Sequence, residues 1–262
     1  MSITNTQQPA AWLKEERHAC LLTCLRSEGK LVASDISARL GVSEDTIRRD
    51  LRELARGRKL QRVHGGALPR SPAAAPYAAR QNQSSAAKNA IARAAAKLIQ
   101  DGQLVFMDGG TTTLHVAQHL VPELSATVVT NSPPLAVALA GHERIEVILL
   151  GGRLCKDSLV TMGATTAEEL QAFRADICLL GVCSLHPEAG LSIADYDEGH
   201  MKRAMIENSA EVAGLVAIEK LGTALPYVVA PAGALTYLIT ENGAPEDELA
   251  AYRKLGISVI LG

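Results

Sequence analysis

"GVSEDTIRRDLRELARGRKLQRVHGGA", residues 41–67, sets Arg48, Arg49, Arg52, Arg56, Arg58, Lys59 and Arg62 around a regular run of aliphatic residues and closes on two glycines. Ser43 suits an N-cap, and Glu44 and Asp45 follow it in the first turn, where the helix dipole favours carboxylates. Ile47, Leu51 and Leu54 then recur at i, i+4 and i+7, which predicts one apolar helical face. At about 100° per residue, Asp45, Arg49, Arg52 and Arg56 point away from that face, with Thr46 and Arg48 on its flanks.

The neighbouring segments close a small core around this helix. Ser34 is expected to cap a short helix, "DISARL", that turns Ile36 and Leu40 inward, and Gly41 supplies the left-handed residue for a sharp turn. A third helix is predicted over residues 14–29, with Cys20, Leu21, Cys24 and Leu25 at helical spacing. Downstream, Gly57 is expected to end the helix, and "KLQRVHGGAL" alternates around Gly65 and Gly66 as a hairpin wing would. The pattern is a winged helix-turn-helix.

Charge points the same way. Between residues 14 and 64 twelve Lys and Arg face eight Asp and Glu, leaving fourteen against twenty elsewhere in a chain of formal charge −2. A basic module on an acidic body suggests an anionic partner. A helix fits the major groove of DNA, where arginine binds guanine O6 and N7 through two hydrogen bonds, worth about 1 to 3 kcal/mol of discrimination. Thr46, Arg48 and Arg49, near the helix N-terminus, are expected at base edges. Arg52, Arg56, Arg58, Lys59 and Arg62 are expected on phosphates, with Ser43 and His64 completing the contact set.

The stretch "VASDISARLGVSEDTIRRDLRELARGRKLQRVHGGA", residues 32–67, resembles the N-terminal domain of DeoR-type bacterial transcriptional regulators. Val42, Ser43, Thr46, Ile47, Arg48, Arg49, Asp50 and Leu51, then Arg62, His64, Gly65, Gly66 and Ala67, carry the likeness. The resemblance implies a winged helix joined to a sugar-phosphate sensor. Asp50, a carboxylate among arginines, is expected to orient Arg48 or Arg49 or to cap a neighbouring element.

The whole chain has 262 residues and is 47% hydrophobic, a composition that suits a globular protein of one large or two modest domains. No apolar run approaches the roughly 20 residues of a membrane helix. The start, "MSITNTQQPAAW", has neither the cationic region nor the apolar stretch of a secretory signal. A cytoplasmic protein is expected, associated with the bacterial nucleoid when bound to DNA and making no use of a membrane. Cys20, Cys24, Cys155, Cys178 and Cys183 include no C-x-x-C pair and read as small buried hydrophobes. His115 and His119 stand four apart in "HVAQH" without a zincin glutamate or a third ligand, so neither metal nor cofactor is expected.

Residues 69–85 hold three prolines, repeated alanines and no hydrophobic period, as an extended connection would, although a weak helix over residues 78–83 is an alternative. The expected division is therefore a disordered tail over 1–13, the winged helix-turn-helix over 14–68, a linker over 69–85 and an effector-sensing domain over 86–262. In the last, "AAKNAIARAAAKLIQ", "TTLHVAQHL" and "EGHMKRAMIENSAEV" read as helices. They alternate with short apolar runs at "QLVFM", "TVVT", "EVILL", "ICLLG", "GLVAI", "YVVA", "YLIT" and "SVIL". That alternation predicts a mainly parallel sheet covered on both faces. The fold class expected is an all-α winged helix-turn-helix followed by an α/β domain.

In such sheets ligands bind beyond the carboxyl ends of the strands. "MDGGTTT" follows one strand and opens a helix, bringing backbone N–H groups, hydroxyls and the helix dipole to one spot that suits an anion. "TNS" (130–132), "GGR" (151–153) and "GV" (181–182) end three more strands, though each alone also fits a merely tight strand-to-helix turn. There is neither a G-x-x-x-x-G-K-S/T loop nor a G-x-G-x-x-G fingerprint, so a phosphate smaller than a nucleotide is indicated. The resemblance implies that this half is similar to the ribose-5-phosphate isomerase fold and senses phosphorylated sugars. On that basis Asp108, Gly109, Gly110, Thr111, Thr112 and Thr113 are assigned to phosphate and its approach. Thr130, Asn131, Ser132, Gly152 and Gly181 are assigned to the rest of the lining. Lys88 and Lys202 match family positions, Lys88 as a structural residue and Lys202 as a pocket residue. One departure stands out: the family's Asp-Ser-Ser-Lys run is Ala217, Ile218, Glu219, Lys220 here. Lys220 is either a further phosphate ligand or a surface lysine.

A rival reading is an isomerase-like enzyme in which Asp195, Asp197, Glu198 and Lys202 move a proton beside a carbonyl. An attached winged helix has no use in such an enzyme. The reading adopted is a non-enzymatic regulator, a repressor of a carbohydrate-metabolism operon. It binds double-stranded operator DNA as a homo-oligomer, a dimer or tetramer, and answers to a small phosphorylated sugar.

Overall fold

The computed structural model describes residues 12–81 and 83–262. The tail expected over residues 1–13 lies, apart from Trp12 and Leu13, outside the described residues. Two compact units divide the chain, one ending at Arg70 and one running Ser71–Gly262.

The first unit runs α1 (Lys14–Glu28), β1 (Leu31–Val32), α2 (Ala33–Leu40), α3 (Glu44–Arg56), β2 (Gln61–Val63) and β3 (Gly66–Leu68). Its core is Leu21, Leu25, Leu31, Ile36, Ile47, Leu51, Leu54 and Leu60, all buried, so the apolar stripe of α3 faces inward as its spacing requires. Ser43 caps α3, its Oγ accepting from Thr46 N at 3.3 Å. Gly29 (φ 70°) and Gly41 (φ 63°) end α1 and α2 in the left-handed region.

One local expectation, the cap of α2, is corrected. The N-cap of α2 is Val32, and Ser34 lies inside the helix with its hydroxyl on Asp35, because β1 pairs with β3 and feeds straight into α2. Gly57 ends α3 as expected, at φ −76°, and Arg58 follows it in the left-handed region at φ 55°. The hairpin is part of a three-stranded sheet ordered β1-β3-β2, in which Gly66 approaches β1 so closely that a Cβ would lie 1.7 Å from Leu31 O.

The second unit opens with residues that the composition marked as an extended connection. They pack instead: a 3-10 turn at Pro72–Ala74 leads to the one-turn helix α4 (Tyr77–Gln81), with Ser71 and Tyr77 buried. Ser71 Oγ donates to Cys183 O, and Tyr77 N donates to Asp157 O at 2.7 Å. Backbone hydrogen bonds of this kind leave no mark on a hydrophobic period.

The unit continues through α5 (Ser85–Ala96), β4 (Leu104–Met107), α6 (Thr111–Ala117), β5 (Ala126–Thr130), α7 (Pro133–Leu139), β6 (Ile145–Leu149), β7 (Arg153–Cys155) and β8 (Val160–Met162). Next come α8 (Ala164–Gln171), β9 (Ala175–Gly181), β10 (Ser184–His186), β11 (Gly190–Ile193), α9 (Tyr196–Glu207) and β12 (Ser209–Leu215). The last elements are β13 (Tyr227–Ala230), β14 (Tyr237–Thr240), α10 (Glu246–Arg253) and β15 (Ser258–Leu261). Seven strands form one parallel sheet ordered β15-β14-β12-β9-β4-β5-β6. Both faces are covered, and successive residues serve opposite cores. Val105, Met107, Ile177 and Leu179 join Ile91 and Leu135 on one side, while Phe106, Cys178 and Leu180 join Met201 and Met205 on the other.

"YVVA" is β13 of a separate antiparallel sheet ordered β10-β11-β13, and "SAEV" belongs to β12 rather than to the preceding helix. β7 and β8 form a two-stranded hairpin. Of the five cysteines only Cys178 is fully buried, the others being half-buried. No helix among the described residues is long and apolar enough to cross a membrane.

Successive strands run one way from β4 to β6 and the other way from β9 to β15, so the order reverses between β4 and β9. That reversal opens the crevice where such sheets hold ligands.

Candidate functional site

In the first unit the predicted DNA-contacting side chains are presented outward. Ser43, Arg48, Arg49, Arg52, Arg56, Arg58, Lys59, Arg62 and His64 are exposed, and Thr46 is half-buried with its hydroxyl 2.9 Å from Ser43 Oγ. Arg48 pairs with Glu44 at 2.7 Å, one helical turn back. Arg48, Arg62 and His64 line a common groove of about 400 Å³ between α3 and the wing. Among the described residues Arg49, Arg52 and Arg56 have no carboxylate within 4 Å, so their charge is free for an external anion.

Asp50 does not orient Arg48 or Arg49. It is buried on the inner face of α3, where it accepts from Arg17 Nε at 2.7 Å and Arg17 Nη2 at 3.1 Å, with His18 Nε2 at 3.2 Å. The hydrogen bond that Arg17 donates to Asp50 holds its guanidinium above the ordinary value. Asp50 thus pins α1 to α3, and Arg17 and His18 are residues that local sequence reading missed.

In the second unit the four glycine- or hydroxyl-bearing loops follow β9, β4, β5 and β6, four contiguous strands, and so share one edge of the sheet. At the point of reversal Asp108 is buried, and its Oδ2 accepts from Gly181 N at 2.9 Å and from Lys202 Nζ. Lys202 also donates to Gly181 O at 2.9 Å and lies 3.7 Å from Glu198 Oε1. Burial alone lowers an ammonium, but Asp108 and Glu198 outweigh it and hold Lys202 well above its ordinary value. Burial pushes the Glu198 carboxyl up despite the pull of Lys202. Lys220 is buried, not on the surface, and donates to Val182 O at 3.1 Å; burial lowers its ammonium. Lys88 is buried too, its Nζ on the carbonyls of Arg80 and Gln83.

Gly109, Gly110, Thr111, Thr112 and Thr113 form the turn into α6, where first-turn N–H groups have no intrahelical acceptor. Thr113 Oγ1 is engaged with Gly110 O at 3.0 Å. A Cβ on Gly109 would fall 2.0 Å from Val160 Cγ1, and one on Gly181 would fall 3.1 Å from Asp108 Oδ2, so both glycines let loops close against each other. Beside them Thr130, Asn131 and Ser132 are buried at the end of β5. Asn131 Nδ2 donates to Thr161 O at 3.0 Å, whereas among the described residues its buried Oδ1 has no partner. Gly152 stands apart: it is exposed, at φ 134°, and a Cβ there would strike Thr166 Oγ1, so its glycine serves the junction with α8.

Of the proton-moving constellation Glu198 and Lys202 are neighbours and Asp195 shares a cavity lining with Glu198, but Asp195, Asp197 and Lys202 are each engaged elsewhere. Asp195 caps α9, accepting from Glu198 N at 2.9 Å; Asp197 pairs with Arg153 at the surface; Lys202 is tied to Asp108. His115 and His119 are half-buried, and among the described residues no group of three or more His, Cys, Asp or Glu could hold a metal ion.

The model of the DeoR-like helix-turn-helix domain matches residues 17–72, and that of the DeoR C terminal sensor domain matches residues 83–242. The HTH-type transcriptional repressor GlcR of Bacillus subtilis (strain 168) is 36% identical over 231 residues, covering 87% of this chain and 89% of its own. The glycerol-3-phosphate regulon repressor of Escherichia coli (strain K12) is 35% identical over 208 residues, covering 79% of this chain and 82% of its own. The chain belongs to the DeoR family. As a member it is a DNA-binding transcriptional regulator and not an enzyme, and its two matched regions fall on either side of residues 73–82. Among solved structures, ribose 5-phosphate isomerase A of Methanocaldococcus jannaschii overlaps 53% of this chain at 18% identity and a TM-score of 0.38. The full-length sorbitol operon regulator SorC of Klebsiella pneumoniae overlaps 82% at 11% identity and a TM-score of 0.37. Arg80 and Ser158 were not singled out in the sequence, for no glycine turn or motif marks them, and Glu198 entered only through the rival enzymatic reading.

Proposed function

We propose that this DeoR-family regulator represses a carbohydrate-metabolism operon and that a phosphorylated sugar, bound at the β9-β4-β5 edge, relieves the repression. The observation that carries the effector half is Asn131 Oδ1, a buried acceptor with no donor among the described residues, beside the loop of Gly109, Gly110 and Thr111. A buried acceptor left unpaired costs about 1 to 3 kcal/mol, and a ligand hydroxyl would remove that cost. Phosphate would take the N–H groups opening α6, with Thr112 and Thr113 shaping the approach and the Asp108–Lys202 pair fixing the loop. Thr130 and Ser132 would position Asn131, Gly181 would form the rim, and Lys220 would add positive potential from beneath, while Gly152 serves the junction with α8.

On the DNA side Thr46, Arg48 and Arg49 read base edges while Arg52, Arg56, Arg58, Lys59 and Arg62 hold phosphates, with Ser43 and His64 at the margins. Arg48 must exchange Glu44 for a base. A symmetric homo-oligomer would present two such faces to a palindromic operator. The test is fluorescence anisotropy of a labelled promoter fragment titrated with the full chain, with and without a panel of triose to hexose phosphates. Release by one or more sugar phosphates, lost in Asn131→Ala with DNA affinity intact, supports the reading. Release that is unchanged in Asn131→Ala removes the site.

A further inference from the structure

Next to the sheet edge lies a cavity of about 220 Å³ whose polar lining is Arg80, Asp157, Ser158, Asp195 and Glu198, with Cys183 at its floor. None of these residues is needed to bind phosphate at the 108–113 loop, yet the cavity adjoins it. Glu198 is one ion-pair link from Asp108 through Lys202, and Ser158 precedes by two residues the Val160 that packs on Gly109. Ser158 is 8% exposed, and its buried Oγ has no partner among the described residues.

The chemistry of the lining selects its occupant. A second anion would meet Asp157, Asp195 and Glu198. An apolar group would strand Ser158 Oγ and the guanidinium N–H groups that Arg80 has left after its Nε donates to Ala75 O at 3.0 Å. Hydroxyls, which both donate and accept, satisfy all of them. The volume is below the roughly 300 to 1,000 Å³ of sites for drug-sized ligands, and suits a chain of a few carbons.

A third of the lining comes from the segment that follows Arg70. Ala73, Ala75, Pro76 and Arg80 line the cavity, while Ser71 and Tyr77 bond to Cys183 and Asp157 on the opposite wall. Lys88 holds the far end of that segment by the carbonyls of Arg80 and Gln83. We propose that this cavity takes the hydroxyl-bearing carbon chain of a phosphorylated sugar or polyol, and that residues 71–81, by forming its wall, report its occupancy along the chain to the DNA-binding unit. The proposal rests on the phosphate reading of the 108–113 loop. It adds where specificity resides and which segment senses it.

Hydrogen–deuterium exchange on the full chain tests it, with inorganic phosphate, sn-glycerol 3-phosphate and the triose to hexose phosphates as probes. Inorganic phosphate should slow exchange over 108–113 alone; at least one organic phosphate should slow it over 71–81 and 155–158 as well. Ser158→Ala removes a hydroxyl that has no close hydrogen-bond partner among the described residues and only the Glu198 carboxyl beside it, and a thermal melt of the variant checks that it folds. It and Arg80→Met should each raise the half-saturating concentration of that organic phosphate by about tenfold or more, the loss expected for one hydrogen bond of this kind, and leave inorganic phosphate unaffected. Protection confined to 108–113 with every organic phosphate, or unchanged affinity in both variants, overturns this proposal and leaves the phosphate site standing. No protection by any probe overturns both.

Discussion

At the scale of single residues, a buried and a half-buried carboxylate illustrate what environment does to one functional group. Asp50 is satisfied by Arg17 and His18 across the α1–α3 contact. Removing its charge leaves a half-covered guanidinium without its anion, so Asp50→Asn should destabilise the first unit by about 3 kcal/mol, read as a lower melting transition. Conserved stability would make the pair a surface ornament. Glu198 is the opposite case, because burial raises its proton affinity above the ordinary carboxylate value. The folded state then holds that proton more tightly than the unfolded one, so its favourable contribution is present at low pH and is lost as pH rises from the ordinary carboxylate range through the raised value. Glu198→Gln should lack this decline in a thermal-stability profile against pH and be no less stable than the parent at neutral pH. A profile parallel to the parent's would contradict the assignment. Neither environment was legible in the sequence. Asp50 lies 33 residues from Arg17, and Asp108 lies 94 from Lys202, and no periodicity connects residues so far apart.

Elements were legible where a face is one-sided. The stripe of α3 marked both its buried and its cationic side, and the short apolar runs located six of the seven parallel strands and only the end of β12. Reading failed where backbone geometry rather than burial decides. β13 is as apolar as its neighbours but pairs antiparallel outside the main sheet, and the proline-rich segment after Arg70 packs through main-chain hydrogen bonds. The wing glycines give a direct test of backbone geometry. Gly65 needs only its positive φ, 75°, and has open space around it, so Gly65→Ala should cost about 1 kcal/mol. Gly66 lies against Leu31 O, so Gly66→Ala should cost about 3 kcal/mol by forcing β1 and β3 apart. Equal melting shifts for the two would refute the close approach.

For the whole molecule, the four strand-end loops could be placed on one edge from sequence because parallel strands put all their carboxyl ends together. The cavity beside them could not, since its walls come from the segment after Arg70, the β7–β8 hairpin and α9. A chain of overall charge −2 must bind a polyanion through local charge alone, which makes salt the governing variable. The central claim is that the exposed arginines of α3 meet phosphates and bases, and the salt dependence of binding to a promoter duplex measures this most directly. Arg56→Ala should weaken every duplex alike and flatten the plot of log affinity against log salt by about one unit, whereas Arg49→Ala should relax preference at a defined base pair. An unaltered salt slope in Arg56→Ala, or no binding by the parent chain even at low ionic strength, would contradict it.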